Sequence, residues 1–475
     1  MPSTRPRIIP NSYVLLSNWR YLEYNVLRII TGWGRSAGDW EDKLAVCNHT
    51  WLQAQIVDRM RHRLDMFPGG KPDSTVNAIF ERLCNAVLLA PSFRDAMAGL
   101  HEVLNPILVQ AYNDYTKTAH PVHDRPTLDL LRETLALKRE EHEWYEGFAK
   151  RYPHTMDAAY RRRIEAELQS VNGRLDGVIE TGDSIARNCG TAVDFRMPVT
   201  PGRVKNWDKA PNVFPLLECD WNHSIEARRL FFMIGYCWEM GVAEQQLRWI
   251  YHAEFMPWDF IYAESRHMWD ESRHGNSGYS RLRDFGLDFE HFGYSSYGAK
   301  GDGFLEPMAP KDVYEAFYGV TQIAETGYFT TKRYCLEDFL THGDEASAEM
   351  MQFDIIDETS HVEYGRIWLE KMASCAGVTE DYRKRGNADR AAAQTKSDHR
   401  AAMMRKILAG YEPDPSEMNE PKHGGECVNP SSVPAVEDLR NPKTHAHYQW
   451  LLKELRGQLP FKNPDEAPTR PNLPM

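Results

Sequence analysis

Residues 270–282 read Asp270-Glu-Ser-Arg-His-Gly-Asn-Ser-Gly-Tyr-Ser-Arg-Leu282, and residues 357–369 read Asp357-Glu-Thr-Ser-His-Val-Glu-Tyr-Gly-Arg-Ile-Trp-Leu369. Asp, Glu, a hydroxyl residue, His, Gly and Leu occupy the same places in both. Side chains three apart share a helix face. Glu271 with His274, and Glu358 with His361, therefore each aim a carboxylate and an imidazole at one point. The spacing alone carries little weight. With 18 His and 68 acidic residues, about two to three acid-x-x-His matches arise by chance, and Glu420-Pro-Lys-His423 in a Pro-rich stretch is one of them. The duplication is what sets the two motifs apart.

Upstream the repeat continues as Val242-Ala-Glu244 and Ile323-Ala-Glu325. The intervals from Glu244 to Glu271 and from Glu325 to Glu358 both suit one helix up and one down. Glu239, further from Glu271 on the same helix, competes with Glu244, and the tripeptide match favours Glu244. Four helices are predicted. The first runs over 224–254. The second runs over 257–285, with Pro257 at its start. The third, preceded by Gly301-Asp-Gly, runs from about Pro310 to Leu340 and stops at His342-Gly343. The fourth is capped by Asp344 and reaches Ala376. Short turns within each pair make the members antiparallel. Four carboxylates and two imidazoles facing inward can hold and bridge two divalent ions. Without ions, burying them would be costly.

The rest of the chain is also helical in pattern. Amphipathic stretches at 51–64, 74–89 and 126–152 form an N-terminal helical domain over 1–190. There Glu133 and Arg139-Glu-Glu-His142 faintly echo the motif, with Arg139 where a carboxylate is needed, so this domain reads as degenerate and metal-free. Residues 172–215 mix Gly, Pro, Asp and Asn and read as an irregular connection. The metal-binding domain is expected over 215–376, and 377–475 holds a helix at 381–408, a Pro/Gly-rich stretch and a short helix at 447–459. Strand-like alternation is scarce, so the fold class is all-α. The net charge of −12 over 475 residues argues against nucleic acid as the main partner. No apolar run reaches the ~20 residues of a membrane span. The start lacks the apolar stretch of a secretory signal, and eight scattered Cys without a Cys-x-x-Cys pair suit a cytoplasmic setting.

The motif Asp270-Glu-Ser-Arg-His274 resembles the acid-Glu-x-Arg-His run of the ferritin-like di-iron carboxylate proteins, specifically acyl-carrier-protein desaturases and bacterial multicomponent monooxygenase hydroxylases. Asp357-Glu-Thr-Ser-His361 differs in having Ser360 where Arg is usual. The resemblance covers the four-helix segment only. It implies a ferritin-like four-helix bundle with Glu244, Glu271, His274, Glu325, Glu358 and His361 as ligands to two iron ions, or to Mn or a mixed pair. It also implies Asp270 and Asp357 as acceptors orienting the imidazoles. His267, four residues before Glu271, stands where arylamine N-oxygenases place an extra His ligand, though on the other hairpin. A hydrogen-bonding role is expected for it, and a proton-relay role for Asp354, its counterpart. The radical tyrosine of the ribonucleotide reductase small subunit is replaced by Gly278 and Gly365, which are expected to leave space beside the metals. Trp238, Trp249, Trp258, Trp269, Tyr328 and Trp368 are expected to fill the core. The implied function is O₂-dependent oxidation of a small organic substrate, with electrons from a separate reductase or from the substrate; a homo-oligomer is compatible. Ferroxidase or iron storage, a dimanganese catalase and a metal-free interaction protein are the alternatives.

Overall fold

The computed structural model describes residues 9–73, 78–177, 195–198, 200–203, 210–292, 307–418 and 433–458. Among them there is helix and no strand, in line with the all-α expectation. No helix of these residues is long and apolar enough to cross a membrane. The chain divides into two compact units, one drawn from residues up to Pro198 plus Pro257–Ser265, the other from Val199–Met256 and from Arg266 onward. The tail beyond 377 therefore belongs with the second unit.

The first unit contains α1 (Ile9–Gly34), α2 (Trp40–Asp65), α3 (Ala78–Leu88), α4 (Phe93–Ala98), α5 (Asn105–Thr118), α6 (Arg125–Arg151) and α7 (Ala158–Ser170). A π-helical segment, Gly99–Leu104, joins α4 to α5. Indole and phenol groups buried in this unit find backbone partners: Trp19 donates to the Leu175 carbonyl at 2.8 Å, Trp33 to Leu88 at 2.9 Å and Tyr160 to Val87 at 2.7 Å. Such pairing removes the penalty of burying an aromatic polar tip. The sequence reading missed α1, whose apolar residues crowd too many faces to show a clean stripe.

The rest of the chain forms α8 (Phe214–Asp220), α9 (Ile225–His252), α10 (Trp258–Asp284), α11 (Phe289–Phe292), α12 (Pro310–Tyr318), α13 (Glu325–His342), α14 (Glu345–Ala376), α15 (Tyr382–Leu408), α16 (Val436–Leu439) and α17 (Pro442–Arg456). The first two turns of α10 count with the first unit. Local chemistry sets the ends. Ser224 accepts from the Ala227 N–H and begins α9, and Asp344 accepts from Ser347 and begins α14. Gly343, at φ 78°, ends α13 in a left-handed conformation that a side chain would resist. The third predicted helix is a composite, because a second π-helical segment, Gly319–Ala324, lies between α12 and α13. The tail docks through Arg385 on Glu315 (2.9 and 2.7 Å) and Tyr448 on Asp220 (2.9 Å).

Residues 74–77 of the predicted 74–89 helix, much of 172–215, Gly301-Asp-Gly and Glu420–His423 lie outside the described residues. Trp249 and Trp258 are buried, as expected, whereas Tyr328 is exposed.

Candidate metal centre

Four helices of the second unit send ionisable side chains to one buried place. On α10, His267, Glu271 and His274 step by four and three residues and share a face. On α14, Asp354, Glu358 and His361 repeat those steps. Glu325 opens α13 directly after the π segment, and Glu239 comes from α9. His267 Nε2 lies 2.8 Å from Glu325 Oε1 and 3.4 Å from Glu271 Oε1, and its ring stacks on that of His361 at 3.8 Å. His361 Nδ1 is 3.3 Å from Glu271, 3.6 Å from Glu325 and 3.8 Å from Glu358. His274 Nδ1 is 3.4 Å from both Glu239 and Asp354.

Three overlapping sets could hold a cation, each with ligand atoms within 4.8 Å of one another: His267, Glu271, Glu325 and His361; Glu239, Glu271 and His274; and His274, Asp354 and Glu358. Donors at ~2.1 Å from a shared ion are at most ~4.2 Å apart, so each set closes on an ion through small rotamer shifts. Glu271 belongs to the first two sets and is placed to bridge. Six inward atoms (Glu239 Oε2, Glu271 Oε1, His274 Nδ1, Glu325 Oε2, Glu358 Oε2 and His361 Nδ1) are buried without a hydrogen-bond partner. Buried polar atoms are rarely left so, and cations held in these sets would supply them with partners.

Outside the cage, His274 and His361 each turn Nε2 to an aspartate of the other motif. His361 faces Asp270 at 3.4 Å and His274 faces Asp357 at 3.3 Å. The exchange crosses between the repeats. Arg273 contacts both aspartates, reaching Asp357 at 2.6 Å, and Arg266 grips Asp270 at 2.8 and 2.9 Å. A proton held on Nε2 leaves the Nδ1 lone pair free to point inward.

The electrostatics are those of a cage balanced by protons. Burial alone would lower both imidazoles. The charge of Asp354 and the contact with Asp357 instead raise His274 well above the usual range, and contacts with Asp270, Glu271, Glu325 and Glu358 do the same for His361. Burial pushes the Glu239 carboxyl up to about 8, against the opposing influence of His274 and Lys332. Burial would also raise Glu271, but His267 and His361 hold it at about 2.

The structure revises several sequence expectations. Glu244 does not join the cage: it is buried in a bidentate pair with Arg203 at 2.7 and 2.8 Å. Five residues along a helix is a rise of ~7.5 Å and a rotation of ~140° from Glu239, so the two carboxylates cannot serve one site. The missed signal was the hairpin separation: the interval from Glu239 to Glu271 is a single residue short of that from Glu325 to Glu358, and the interval from Glu244 falls well below it. His267 sits among the ligand donors, not merely beside them, and Asp354 likewise faces His274. Lys332 was not anticipated. Its buried ammonium donates to Asp354 at 2.9 Å and Glu358 at 2.6 Å. Gly278 and Gly365 do not open space. A Cβ on Gly278 would stand 2.5 Å from the Met233 carbonyl, and one on Gly365 would stand 2.5 Å from Thr321 Oγ1, so both glycines permit close helix packing. Cys237 and Cys335 are fully buried.

The first unit carries a second cage in the same register. Gln53 and Glu271 stand equally far into their helices, counted from Trp40 of α2 and Trp258 of α10. Asn105 and Glu325 each directly follow a π segment. The interval from Asn105 to Lys138 equals that from Glu325 to Glu358. His49 thus stands for His267, Gln53 for Glu271, Ile56 for His274, Asn105 for Glu325, Lys138 for Glu358 and Glu141 for His361. Lys138 Nζ is the hub, 2.8 Å from both Glu23 and Gln53 and 3.4 Å from both Asn105 and Glu141. The predicted echo at Glu133 and His142 faces solvent, with side-chain exposures of 60% and 54%.

No family model matches this chain, and neither the curated proteins nor the solved structures yield a match.

Proposed function

We propose that the second unit is a ferritin-like di-metal oxidoreductase, in which two iron ions, or manganese in their place, use O₂ to oxidise a small organic substrate. The observation that supports this most is the convergence of His267, Glu271, Glu325 and His361 from three helices, with orphaned ligand atoms beside a second set, Glu239, His274, Asp354 and Glu358. A mixed imidazole and carboxylate donor set suits a redox-active divalent metal. Bound metal would supply the O₂ and electron chemistry that these side chains lack.

The chain's own part is positioning and proton control. Glu271 is placed between the two sets and can hold two ions at a fixed separation. Asp270 and Asp357, tied by Arg273, fix the imidazole rings so that Nδ1 faces the centre. Stacking of His267 on His361 restricts both rings further. The helices that bury Glu271, Glu325, Asp354 and Glu358 keep bulk water from the centre. Glu239, raised to about 8, can hold a proton near neutral pH at the cage wall when no ion is bound.

The test is anaerobic reconstitution with ferrous iron, followed by metal analysis and exposure to O₂ with and without a chemical reductant. Retention of up to about two irons per chain and oxygen uptake dependent on that iron are expected. Hundreds of irons per particle would point to storage, and O₂ release from peroxide to a catalase. Protein that retains no metal under these conditions would sink the reading.

A further inference from the structure

The two halves of the cage are not alike. The first, built by His267, Glu271, Glu325 and His361, contains no cationic side chain of its own beyond the imidazoles. In the second, Asp354 and Glu358 share the ammonium of Lys332, at 2.9 and 2.6 Å. Lys332 lies two helical turns after Glu325 on α13 and is 6% exposed, so its charge does not reach solvent as a lysine tip normally does. The matching residue on α9, seven after Glu239, is Gln246, neutral and fully buried. An internal cation therefore sits on one side only. The cage of the first unit shows the complete form of the same substitution, with Lys138 at the centre of Glu23, Gln53, Asn105 and Glu141.

We propose that the cage of the second unit loads its ions in a fixed order and with unequal affinity. The first ion enters the His267–Glu271–Glu325–His361 set, and Lys332 holds the second position until its ammonium leaves Asp354 and Glu358. This rests on the reading of the site as a metal centre. The first set needs no protein cation removed. In the second, Glu358 Oε2 is free to approach an ion to ~2.0–2.2 Å, but the ammonium on Glu358 Oε1 and Asp354 would stand against a like charge sharing the same carboxylates. Two charge-assisted hydrogen bonds are lost on entry, and the displaced ammonium must be kept away from a like charge. Lys332 thus acts as a positioning residue that sets metal stoichiometry, and at limiting metal the chain carries one ion.

Titration of the full metal-free chain with Mn(II) under anaerobic conditions, read by the electron paramagnetic resonance of the free ion and by native mass spectrometry, tests this without any turnover. Wild type should take one equivalent tightly and a second on the order of 100-fold more weakly. Lys332→Met and Lys332→Gln should bring the second affinity close to the first, while Gln246→Met leaves the step in place. Should the Lys332 variants fail to fold, anomalous scattering from wild-type crystals holding one equivalent of Mn(II) decides. A single peak among His267, Glu271, Glu325 and His361 is expected, and a peak between Asp354 and Glu358 overturns the order. Two equally tight equivalents in wild type, or a step unchanged in both Lys332 variants, overturns the role of Lys332 while leaving the metal centre intact. Wild type that binds no Mn(II) and no ferrous iron sinks the metal-centre reading, and this inference with it.

Discussion

The two cages solve one electrostatic problem in two ways. Each buries a ring of polar side chains at matching positions on four helices, and each must neutralise it, since unpaired charge in a helical core is costly. In the first unit the chain supplies the cation: Lys138 meets two carboxylates and two amide oxygens, with Glu141 held by charge alone, at 3.4 Å and without a hydrogen bond. In the second, imidazoles and carboxylates replace Ile56, Gln53, Asn105 and Lys138, and inward atoms are left without partners. The difference separates a ring centred on one ammonium from one whose lysine, Lys332, reaches only Asp354 and Glu358. Neither burial nor orphaned atoms alone distinguish them, since Glu141 carries two of the latter; the ammonium at the centre of the first ring does.

The sharpest way to break this contrast is to remove the internal cation. Lys138→Met leaves Glu23 and Glu141 facing each other without a positive charge. It should cost about 3–5 kcal/mol, the usual range for one partner of a buried ion pair, and chemical denaturation would measure it. A chelator should leave this unit untouched. If Lys138→Met unfolds no more easily than wild type, the ring is not held by its lysine and the comparison fails.

Next in size is the loss of a ligand of the first set. Glu271→Ala and His361→Ala should each abolish tight metal binding and with it the metal-dependent rise in Tm, since a ligand stabilises a fold only in proportion to its affinity for the native state. Glu244→Gln should leave metal content unchanged, because Arg203 already occupies that carboxylate. Glu239→Gln should weaken the second ion on the order of 10-fold. Metal analysis of the four variants side by side decides between Glu239 and Glu244. A loss of iron in Glu244→Gln with none in Glu239→Gln would restore the tripeptide alignment.

That alignment shows what sequence can and cannot carry. The Asp-Glu-x-x-His duplication, the antiparallel helices and their end signals at Gly343 and Asp344 were legible, because periodicity and capping chemistry are local. The choice of Glu239 was within reach through hairpin length, a property of the whole pair, but the local likeness of Val242-Ala-Glu244 to Ile323-Ala-Glu325 competed with it. The π segments were not legible. Each changes the helical phase without a composition signature, so side chains upstream and downstream of Asn105 and Glu325 leave the regular pattern. Lys332 and Lys138 were hidden for another reason. A lysine in a helix ordinarily reaches solvent, and only the surrounding carboxylates make it an internal cation. Arg203, from the irregular stretch before α8, meets Glu244 through tertiary folding alone.

The smallest effect expected is also the one that reads both cages in a single experiment, the dependence on pH. His49 in the first unit is fully buried and, through burial first and the charge of Lys138 second, its imidazole is lowered to about 3. A depressed folded value means that the unfolded chain takes the proton more readily, so the contribution of His49 to stability is whole above about 6.5 and drains away as pH falls towards 3. Glu239 in the second unit runs the other way. Its folded value of about 8 exceeds the ordinary 4.5, so the metal-free fold gains most below 4.5 and loses that gain as pH rises through 8. The raised imidazoles of His274 and His361 add to the same trend. Metal binding must displace those protons, so metal affinity should climb with pH over the window in which the empty cage weakens. Thermal melts of metal-free and Mn(II)-loaded protein from pH 5 to 9 would show the two curves diverging with rising pH, while His49→Gln flattens the acid limb of both. A gap between the curves that narrows as pH rises would mean that the cage of the second unit holds no exchangeable protons where metal binds, and the distinction between a lysine-centred ring and a proton-balanced one would be lost.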